Sequence, residues 1–205
     1  LPFAKKVESI RAMISGLIQR QMRYITIDPY ANAFNEEENG HCWEKDDTDS
    51  NDWEWERKYE IDSLCYPIWL LHRYYETTKD EHIFSAQVKI AFRRILDTWS
   101  TEQHHDEASS YYFRRTNCPP TDTLSNDGKG EPPAYTGMTW SGFRPSDDAC
   151  QYGYLVPSNM FASVVLGYIA EYANSKYQDE TMAKEAYMLK KQIEQGIEAD
   201  AVRNL

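Results

Sequence analysis

The chain has 205 residues and a formal net charge of −11, with 41% hydrophobic and 27% charged residues. This length is sufficient for one well-buried core and does not require a second domain. An acidic chain without a cluster of Lys and Arg is a poor match for a phosphate backbone, so we expect no nucleic acid partner. No apolar run approaches the roughly 20 residues that span a bilayer, and residues 1–20 mix charged with apolar positions, so we predict neither a membrane segment nor a signal peptide.

The four cysteines, Cys42, Cys65, Cys118 and Cys150, show no Cys-x-x-Cys or Cys/His ligand spacing. This pattern argues against a zinc site. Cys65 and Cys150 lie among apolar or aromatic neighbours, which is typical of buried thiols in a reducing compartment such as the cytoplasm. Export to the periplasm stays open as the alternative, because a leader could precede the first residue.

Hydrophobic periodicity of about 3.6 residues predicts five amphipathic helices. They cover about residues 3–23, 61–75, 84–99, 157–172 and 179–199. Pro67 predicts a kink or a distinct first turn in the second helix, and Pro157 suits the first turn of the fourth. The short join near residues 77–81 predicts that the second and third helices form an antiparallel hairpin. Because no run of strands is convincing, we predict an all-α toroid or bundle whose loops gather at one end.

The acidity of the chain is local, because residues 36–62 carry twelve acidic against three basic side chains. The Asp-rich run from Asp46 to Asp52 lacks the Gly at position 6 and the Glu at position 12 of an EF-hand loop. We therefore interpret it as a solvated loop rather than a calcium site. This loop contains three tryptophans, Trp43, Trp53 and Trp55. Their rings either stack on sugar rings or pack the loop against the body of the protein.

A second long segment, residues 104–152, has no helical period and contains several Pro and Gly residues. Structureless segments of this length are uncommon in compact domains unless they are functional or disordered. Its aromatic residues and the pair Arg114-Arg115 argue against disorder. We predict that this segment lines a site.

The most informative stretch reads GMTWSGFRPSDDACQYGYLVPSNMF, at residues 137–161. It concentrates aromatic residues of a type common at exposed positions and charges of both signs, namely Trp140, Phe143, Arg144, Asp147 and Asp148. This combination is typical of a site that binds a polar, hydroxyl-rich ligand. The alternative is a helix-entry loop, in which one of the two aspartates caps the next helix and Arg144 pairs with a local carboxylate.

Three segments together resemble a known family, namely IDPYANAFN at 27–35, WERKYEIDSLCYP at 55–67 and TGMTWSGFRPSDDACQYGYLVPSNMFA at 136–162. They look like the glycoside hydrolases of family 125. The resemblance implies an (α/α)6 toroid, with residues 1–205 part of a single catalytic domain. It implies exo-acting removal of α-1,6-linked mannose with inversion, without metal or cofactor. The implied partner is an α-mannoside oligosaccharide such as an N-glycan or mannan fragment.

The resemblance also implies site residues. The general acid of the family corresponds to Asp147, which follows Arg-Pro-Ser. The candidates for holding the terminal mannose are Arg144, Asp148, Glu60, Asp62, Asn35 and Trp140. Glu60 and Asp62 have a structural alternative, either as partners of Arg57 or Lys58 or as acids that interact with a helix dipole. We expect Arg144 to face Asp148 or the sugar, because a cation beside the general acid would favour its charged form.

The sequence departs from the family in length. Its members are about twice as long, and a toroid of twelve helices exceeds the five predicted here. The family's general base is expected beyond Leu205, so we expect this chain to be a central part of the family's length and incomplete or inactive alone. Two rival hypotheses keep the same fold. One is a non-catalytic carbohydrate-binding or scaffold protein, and the other is a toroid enzyme with lyase or epimerase chemistry.

Overall fold

The structure is a computed structural model that describes residues 1–202. In chain order its helices are α1 (Glu8–Ile27), α2 (Ile61–Thr78), α3 (Ala86–Glu102), α4 (His105–Ala108), α5 (Ser125–Gly128), α6 (Val156–Tyr177) and α7 (Glu180–Gly196). A short antiparallel ribbon pairs β1 (Ala33–Phe34) with β2 (Glu54–Glu56). Single 3-10 turns occur at Pro2–Lys5, Glu81–Ile83 and Pro120–Asp122, and a π turn follows α7 at Ile197–Ala201. The prediction of a helix-dominated fold is confirmed.

The helices α2, α3, α6 and α7 begin within about two residues of their predicted starts, whereas α1 begins at Glu8, about five residues later than predicted. Pro157 lies in the first turn of α6, where a missing N–H costs no hydrogen bond. Ser85 and Asp179 cap α3 and α7, because their side chains accept the backbone N–H of the third helical residue. Pro67 lies inside α2, which continues past it from Ile61 to Thr78. Among residues 1–202, no helix combines the length and apolar character that a membrane span requires.

The helix pairing differs from the predicted hairpin. The close antiparallel hairpin is α6 with α7, whereas α2 packs mainly on α6 and α1, and α3 packs mainly on α1. The prediction that the second and third helices form a hairpin was therefore wrong. The side chain of Gln19 on α1 contributes to this arrangement, because it donates to the carbonyl of Ile83 at 2.9 Å and accepts from Ser85 Oγ at 2.8 Å. These bonds hold the start of α3 against α1.

A layer of aromatic side chains joins the long loops to the ends of the helices. Its members lie in loops yet are buried, namely Tyr59, Tyr111, Phe113, Trp140 and Phe143. The ring of Trp140 stacks on that of His105 with 3.5 Å between ring centroids. The ring of Tyr59 lies nearly parallel to that of Trp140, with 6.2 Å between ring centroids. The prediction that Trp140 and Phe143 are exposed was wrong, because both rings are part of this buried layer. Apolar area removed from water at about 25 cal/mol per Å² makes such a layer a major source of stability.

The fully buried carboxylate of Glu102, at the end of α3, ties the loop after α1 to α4 and the residue that follows it. It accepts hydrogen bonds from Tyr30 Oη at 2.7 Å, Ser109 Oγ at 2.5 Å and His105 Nδ1 at 2.5 Å. Burial and the nearby Glu102 charge raise the pKa of Tyr30 above its usual value, so this hydroxyl stays a donor. A buried carboxylate is tolerated only when it is bonded in this way.

The loop at residues 136–138 packs tightly on the last turn of α7 through two glycines. A Cβ atom at Gly137, which has a φ of +85°, would lie 2.6 Å from the carbonyl oxygen of Gln192. A Cβ atom at Gly196 would collide with the carbonyl oxygen of Thr136. The polypeptide that leads into the central motif is therefore held by a close backbone approach that only glycine permits.

We expect Gly196→Ala to destabilise the protein by about 1–3 kcal/mol, because the new methyl group must displace backbone atoms. Gly16→Ala is the matched control, since it is also a helical glycine but a Cβ there meets nothing within 4 Å. This control should be stabilising by up to about 1 kcal/mol. Urea unfolding of the two variants measures the difference, and equal stability of both would contradict the packing described here.

Candidate active site

Asp147 lies at the tip of a tight turn. Phe143 and Ala149 form an antiparallel bridge at the base of the turn, and the N–H of Arg144 donates to the carbonyl of Asp148 at 2.9 Å. The N–H of Asp147 donates to the carbonyl of Arg144 at 2.9 Å, and Asp147 has a φ of +66°. This left-handed conformation costs a non-glycine residue about 1 kcal/mol or more, although Asp and Asn tolerate it best. Strain of this kind is typical of functional positions.

The side chain of Asp147 is exposed and lines a cavity of about 520 Å³. The other lining residues are Asn32, Ala33, Trp43, Trp55, Glu56, Lys58, Arg115 and Asp122. Between residues 1 and 202, no group forms a hydrogen bond or an ion pair with its carboxylate, whereas its backbone carbonyl accepts from Lys58 Nζ at 3.1 Å. Asp147 is therefore held by its backbone, and its carboxylate is free to contact a ligand.

Arg144 turns away from Asp147, as expected. Its Nη2 forms an ion pair with Asp148 Oδ2 at 2.9 Å, and Ser146 Oγ donates to the same oxygen at 2.9 Å. Arg144 lines a second cavity of about 560 Å³ on which Glu131 and Tyr152 also border. Neither aspartate caps the following helix, because α6 begins at Val156 without a side-chain cap. The capping alternative was therefore wrong.

Glu60 and Asp62 lie where the chain enters α2, and both are buried. Ser63 Oγ donates to Glu60 Oε2 at 2.7 Å, and Ser158 Oγ donates to Asp62 Oδ1 at 3.3 Å. Burial raises the pKa of Glu60 to about 7, with further contributions from the charges of Asp62 and Asp147 and an opposing one from the Ser63 bond. Burial also raises the pKa of Asp62.

The structure supports one half of the structural alternative for these two acids. Glu60 is the N-cap residue of α2 and Asp62 lies in the first turn, where acidic groups interact favourably with the helix dipole. The other half, an ion pair with Arg57 or Lys58, is wrong. Arg57 pairs with Asp28 at 2.6 Å, and Lys58 pairs with Asp122. Glu60 and Asp62 have no cationic partner among the described residues 1–202. Neither acid lines the cavity around Asp147, and their raised pKa values make this helix entrance a candidate functional site.

Asn35 and Trp140 lie outside the cavity around Asp147. The amide of Asn35 donates to the carbonyl of His41 at 2.8 Å and reaches that of Asp52 at 3.4 Å, so it fastens the acidic loop. The ring of Trp140 is covered by the stack with His105 and the surrounding loop residues. The structure gives both residues a framework role, because both are buried and neither lines the cavity around Asp147, so the predicted contact of the Trp140 ring with a sugar was wrong.

Sequence reasoning missed a cluster of ion pairs that forms the floor of the cavity. Arg115 bonds Asp46 at 2.7 Å, Glu56 at 2.8 Å and Asp122 at 3.0 Å. These partners lie up to 69 residues from Arg115, so no local pattern predicts their pairing. The interpretation of the Asp46 to Asp52 run as fully solvated was wrong at Asp46, which is almost entirely buried in this cluster. Within residues 1–202, no group of three or more His, Cys, Asp and Glu side chains is placed to hold a metal ion.

Of the three tryptophans in the acidic loop, one packs the loop against the body of the protein and two are placed where they could contact a sugar. Trp53 lies under the guanidinium of Arg23, 4.4 Å from the ring centroid, and so pins the loop to α1. Trp43 and Trp55 are 62% and 38% exposed and lie at the rim of the Asp147 cavity, with 6.4 Å between ring centroids. Exposed aromatic faces beside a polar cavity are typical of sugar contact.

The raised pKa of Glu60 predicts a pH-dependent effect of Glu60→Gln. Below about pH 4.5 this side chain is protonated in both folded and unfolded states, so it costs nothing. Between about pH 4.5 and 7 the unfolded state releases this proton while the folded state keeps it, so stability is lost across this range and levels off above pH 7. Glu60→Gln should therefore gain on the order of 2 kcal/mol relative to the parent between about pH 5 and pH 8.

Ser63→Ala is the companion variant for this experiment. It removes a hydrogen bond that lowers the pKa of Glu60, so it should deepen the loss of stability at the higher pH. Thermal unfolding of the three proteins across this range measures both effects. A stability difference between Glu60→Gln and the parent that is the same at all pH values would show that Glu60 is not protonated by burial.

Comparison with known proteins is consistent with this geometry. The profile of the family described as metal-independent alpha-mannosidase matches residues 1–205. A solved structure of a Streptococcus pneumoniae metal-independent alpha mannosidase, in a non-productive complex with alpha-1,6-mannobiose, is 46% identical with a TM-score of 0.93. That match covers 96% of this chain and 47% of the other. The Schizosaccharomyces pombe meiotically up-regulated gene 157 protein is 29% identical over 219 residues, which are 98% of this chain and 43% of the relative.

The chain thus spans slightly less than half the length of these two relatives. The structural match confirms the predicted (α/α)6 fold class. The profile match along the whole chain, together with this fold, shows that the protein belongs to glycoside hydrolase family 125, the metal-independent α-mannosidases.

Proposed function

We propose that the protein containing this chain is an exo-acting glycoside hydrolase that removes terminal α-1,6-linked mannose with inversion and without a metal ion. The observation that carries the proposal is the free carboxylate of Asp147, at the tip of a strained turn and in a cavity rimmed by two exposed tryptophans. Family membership supports the mannosidase chemistry. The mannobiose bound to the related structure supports the linkage.

Asp147 acts as the general acid in this proposal. An inverting glycosidase places a protonated carboxyl beside the departing oxygen and a carboxylate about 6.5–9.5 Å away, with room for water between. Water attacks the anomeric carbon as its proton passes to the base, and Asp147 gives its proton to the departing oxygen. We assign the base to the part of the family's length that this chain does not span.

Glu60 and Asp62 are our candidates for holding the terminal mannose. With a pKa of about 7, Glu60 is partly protonated at neutral pH, so it can both donate to and accept from a sugar hydroxyl. The Arg144 and Asp148 pair closes the other side of the turn and offers further donors and acceptors. Hydroxyl-rich ligands require such mixed donor and acceptor sets, because each buried hydroxyl must be satisfied.

Trp43 and Trp55 are our candidates for the sugar on the leaving side. Both line the same cavity as Asp147, and the backbone N–H of Trp43 donates to the backbone carbonyl of Trp55 at 2.9 Å. This bond holds the two indoles next to each other. The apolar face of a mannose ring could pack on either indole while its hydroxyls stay in water.

We expect the intact protein to release mannose from the non-reducing end of α-1,6-mannobiose, with β-mannose as the first anomer seen by NMR. Activity should be the same before and after treatment with a chelator, since family members are metal-independent. Appearance of the α-anomer first would exclude inversion. Loss of activity on chelation that calcium restores would mean that the Asp46 to Asp52 run was misinterpreted. Binding without release would favour the carbohydrate-binding alternative.

Asp147→Asn should lower the turnover of mannobiose about 10² to 10⁴-fold, because it removes the transferable proton. Asn keeps the shape of the side chain and tolerates the left-handed backbone. The loss should be much smaller on a dinitrophenyl α-mannoside, whose leaving group needs little protonation. Asp148→Asn is the matched control, and it should weaken binding or folding with a smaller effect on the chemical step. The reverse pattern would assign the acid to Asp148.

A further inference from the structure

Lys58 is a buried cation that contacts the turn carrying Asp147. It lies between β2 and α2, and only 1% of its surface is exposed. Its Nζ donates to the backbone carbonyl of Asp147 at 3.1 Å and to the carboxylate of Asp122. The same ammonium lies 5.2 Å from the centroid of Phe143, the residue at the base of the turn. Lys58 therefore joins the floor of the cavity to the turn above it.

The ion pair with Asp122 explains why Lys58 tolerates burial. An ammonium that leaves water requires an opposite charge and good hydrogen bonds. Asp122 provides the charge and is itself fixed by Arg115 Nη1 at 3.0 Å. One donor of the ammonium serves this pair, and a second is directed at Asp147. This second bond is an additional contact to the residue whose carboxylate stands free in the cavity.

The backbone of Asp147 benefits from this contact. A φ of +66° is unfavourable for a residue that has a Cβ atom, so the turn needs support to keep it. A hydrogen bond from a charged donor is stronger than one from a neutral donor, and more so in a site shielded from water. Because the backbone sets the direction of the Cα–Cβ bond, a fixed carbonyl limits the positions that the carboxyl group can reach by side-chain rotation.

We propose that Lys58 is a positioning residue, which aims the Asp147 carboxyl at the glycosidic oxygen by clamping the Asp147 backbone carbonyl. The inference rests on the proposed function, in which Asp147 is the general acid. Lys58 forms no bond to the reacting atoms in this scheme. Lys58 affects the rate of proton transfer to the departing oxygen, because that rate depends on the position of the Asp147 carboxyl group.

Lys58→Met tests the proposal, because it keeps the length of the stem and removes every donor. In the intact protein we expect kcat on α-1,6-mannobiose to fall about 10²-fold, the loss that a misplacement of about 1 Å can cause. On dinitrophenyl α-mannoside, which needs little protonation, the loss should stay below about threefold. KM should change little for both substrates.

Arg57→Met is the matched control. Arg57 is the neighbouring buried cation, paired with Asp28, and within residues 1–202 it forms no hydrogen bond, ion pair or ring contact with the turn at 143–149. Its loss should lower stability and affect the two substrates equally. A difference between the two methionine variants separates positioning of Asp147 from the general cost of removing a buried charge.

A double-mutant cycle provides a second readout. In an Asp147→Asn background, Lys58→Met should cause almost no further loss on mannobiose, since the proton transfer that it supports is already gone. If Lys58→Met fails to fold by circular dichroism, Lys58→Arg replaces it. Arg keeps the charge for Asp122, but its planar group on a longer stem cannot place a donor at the same point. The kcat of Lys58→Arg should again fall more on mannobiose than on dinitrophenyl α-mannoside.

The inference would be overturned if Lys58→Met, or Lys58→Arg in its place, lowered kcat equally on the two substrates or did not lower it at all. Asp147 would then remain the proposed general acid. Additive losses in the double-mutant cycle would do the same. A parent protein without mannosidase activity, or an Asp147→Asn variant with full activity, would instead overturn the proposed function and the inference with it.

Discussion

The buried carboxylate of Glu102 determines how the loops lie over the ends of the helices. A charge at the centre of a protein must be fully hydrogen-bonded, and here the donors come from Tyr30, His105 and Ser109. The backbone carbonyl of Glu102 also accepts the N–H of Trp140 at 3.0 Å. Loops that have almost no regular structure of their own thereby share one anchor, on a helix that is packed into the core.

A second set of charges continues this framework from the core to the cavity. Arg115 and Lys58 hold Asp46, Glu56 and Asp122, which come from both long loops. Ion pairs at an exposed surface add little, whereas pairs shielded from water and shared among several groups hold their geometry firmly. The local excess of acidic residues therefore has a structural use. Among the residues that the structure describes, the carboxylate of Asp147 has no such partner, although it lies beside carboxylates that have one.

Much of the fold could be predicted, because helices are governed by local periodicity and by residues at their ends. Pro157 and Asp179 both lie where the sequence predicts the starts of α6 and α7. The predicted pairing of helices failed at α2 and α3, because α3 packs mainly on α1, which local periodicity does not reveal. The turn at Asp147 was predicted as a site from its residue types together with the resemblance to a family motif, and this assignment stays a prediction. The burial of Trp140 was not predicted, because an aromatic residue in a loop can be placed in the core or at the surface.

The sequence by itself determined the helical class, the approximate limits of the long helices and the family. Helices depend on residues that are neighbours in sequence, and the family is identified by short continuous motifs. Only the tertiary structure decided which charges are paired. Lys58 and Asp122 are 64 residues apart, and Arg115 and Asp46 are 69 apart. The free energy of a charge depends on burial and on its partners in space, neither of which is a local property of the sequence. For this reason the free carboxylate of Asp147 and the cation beneath it became visible only in the folded chain.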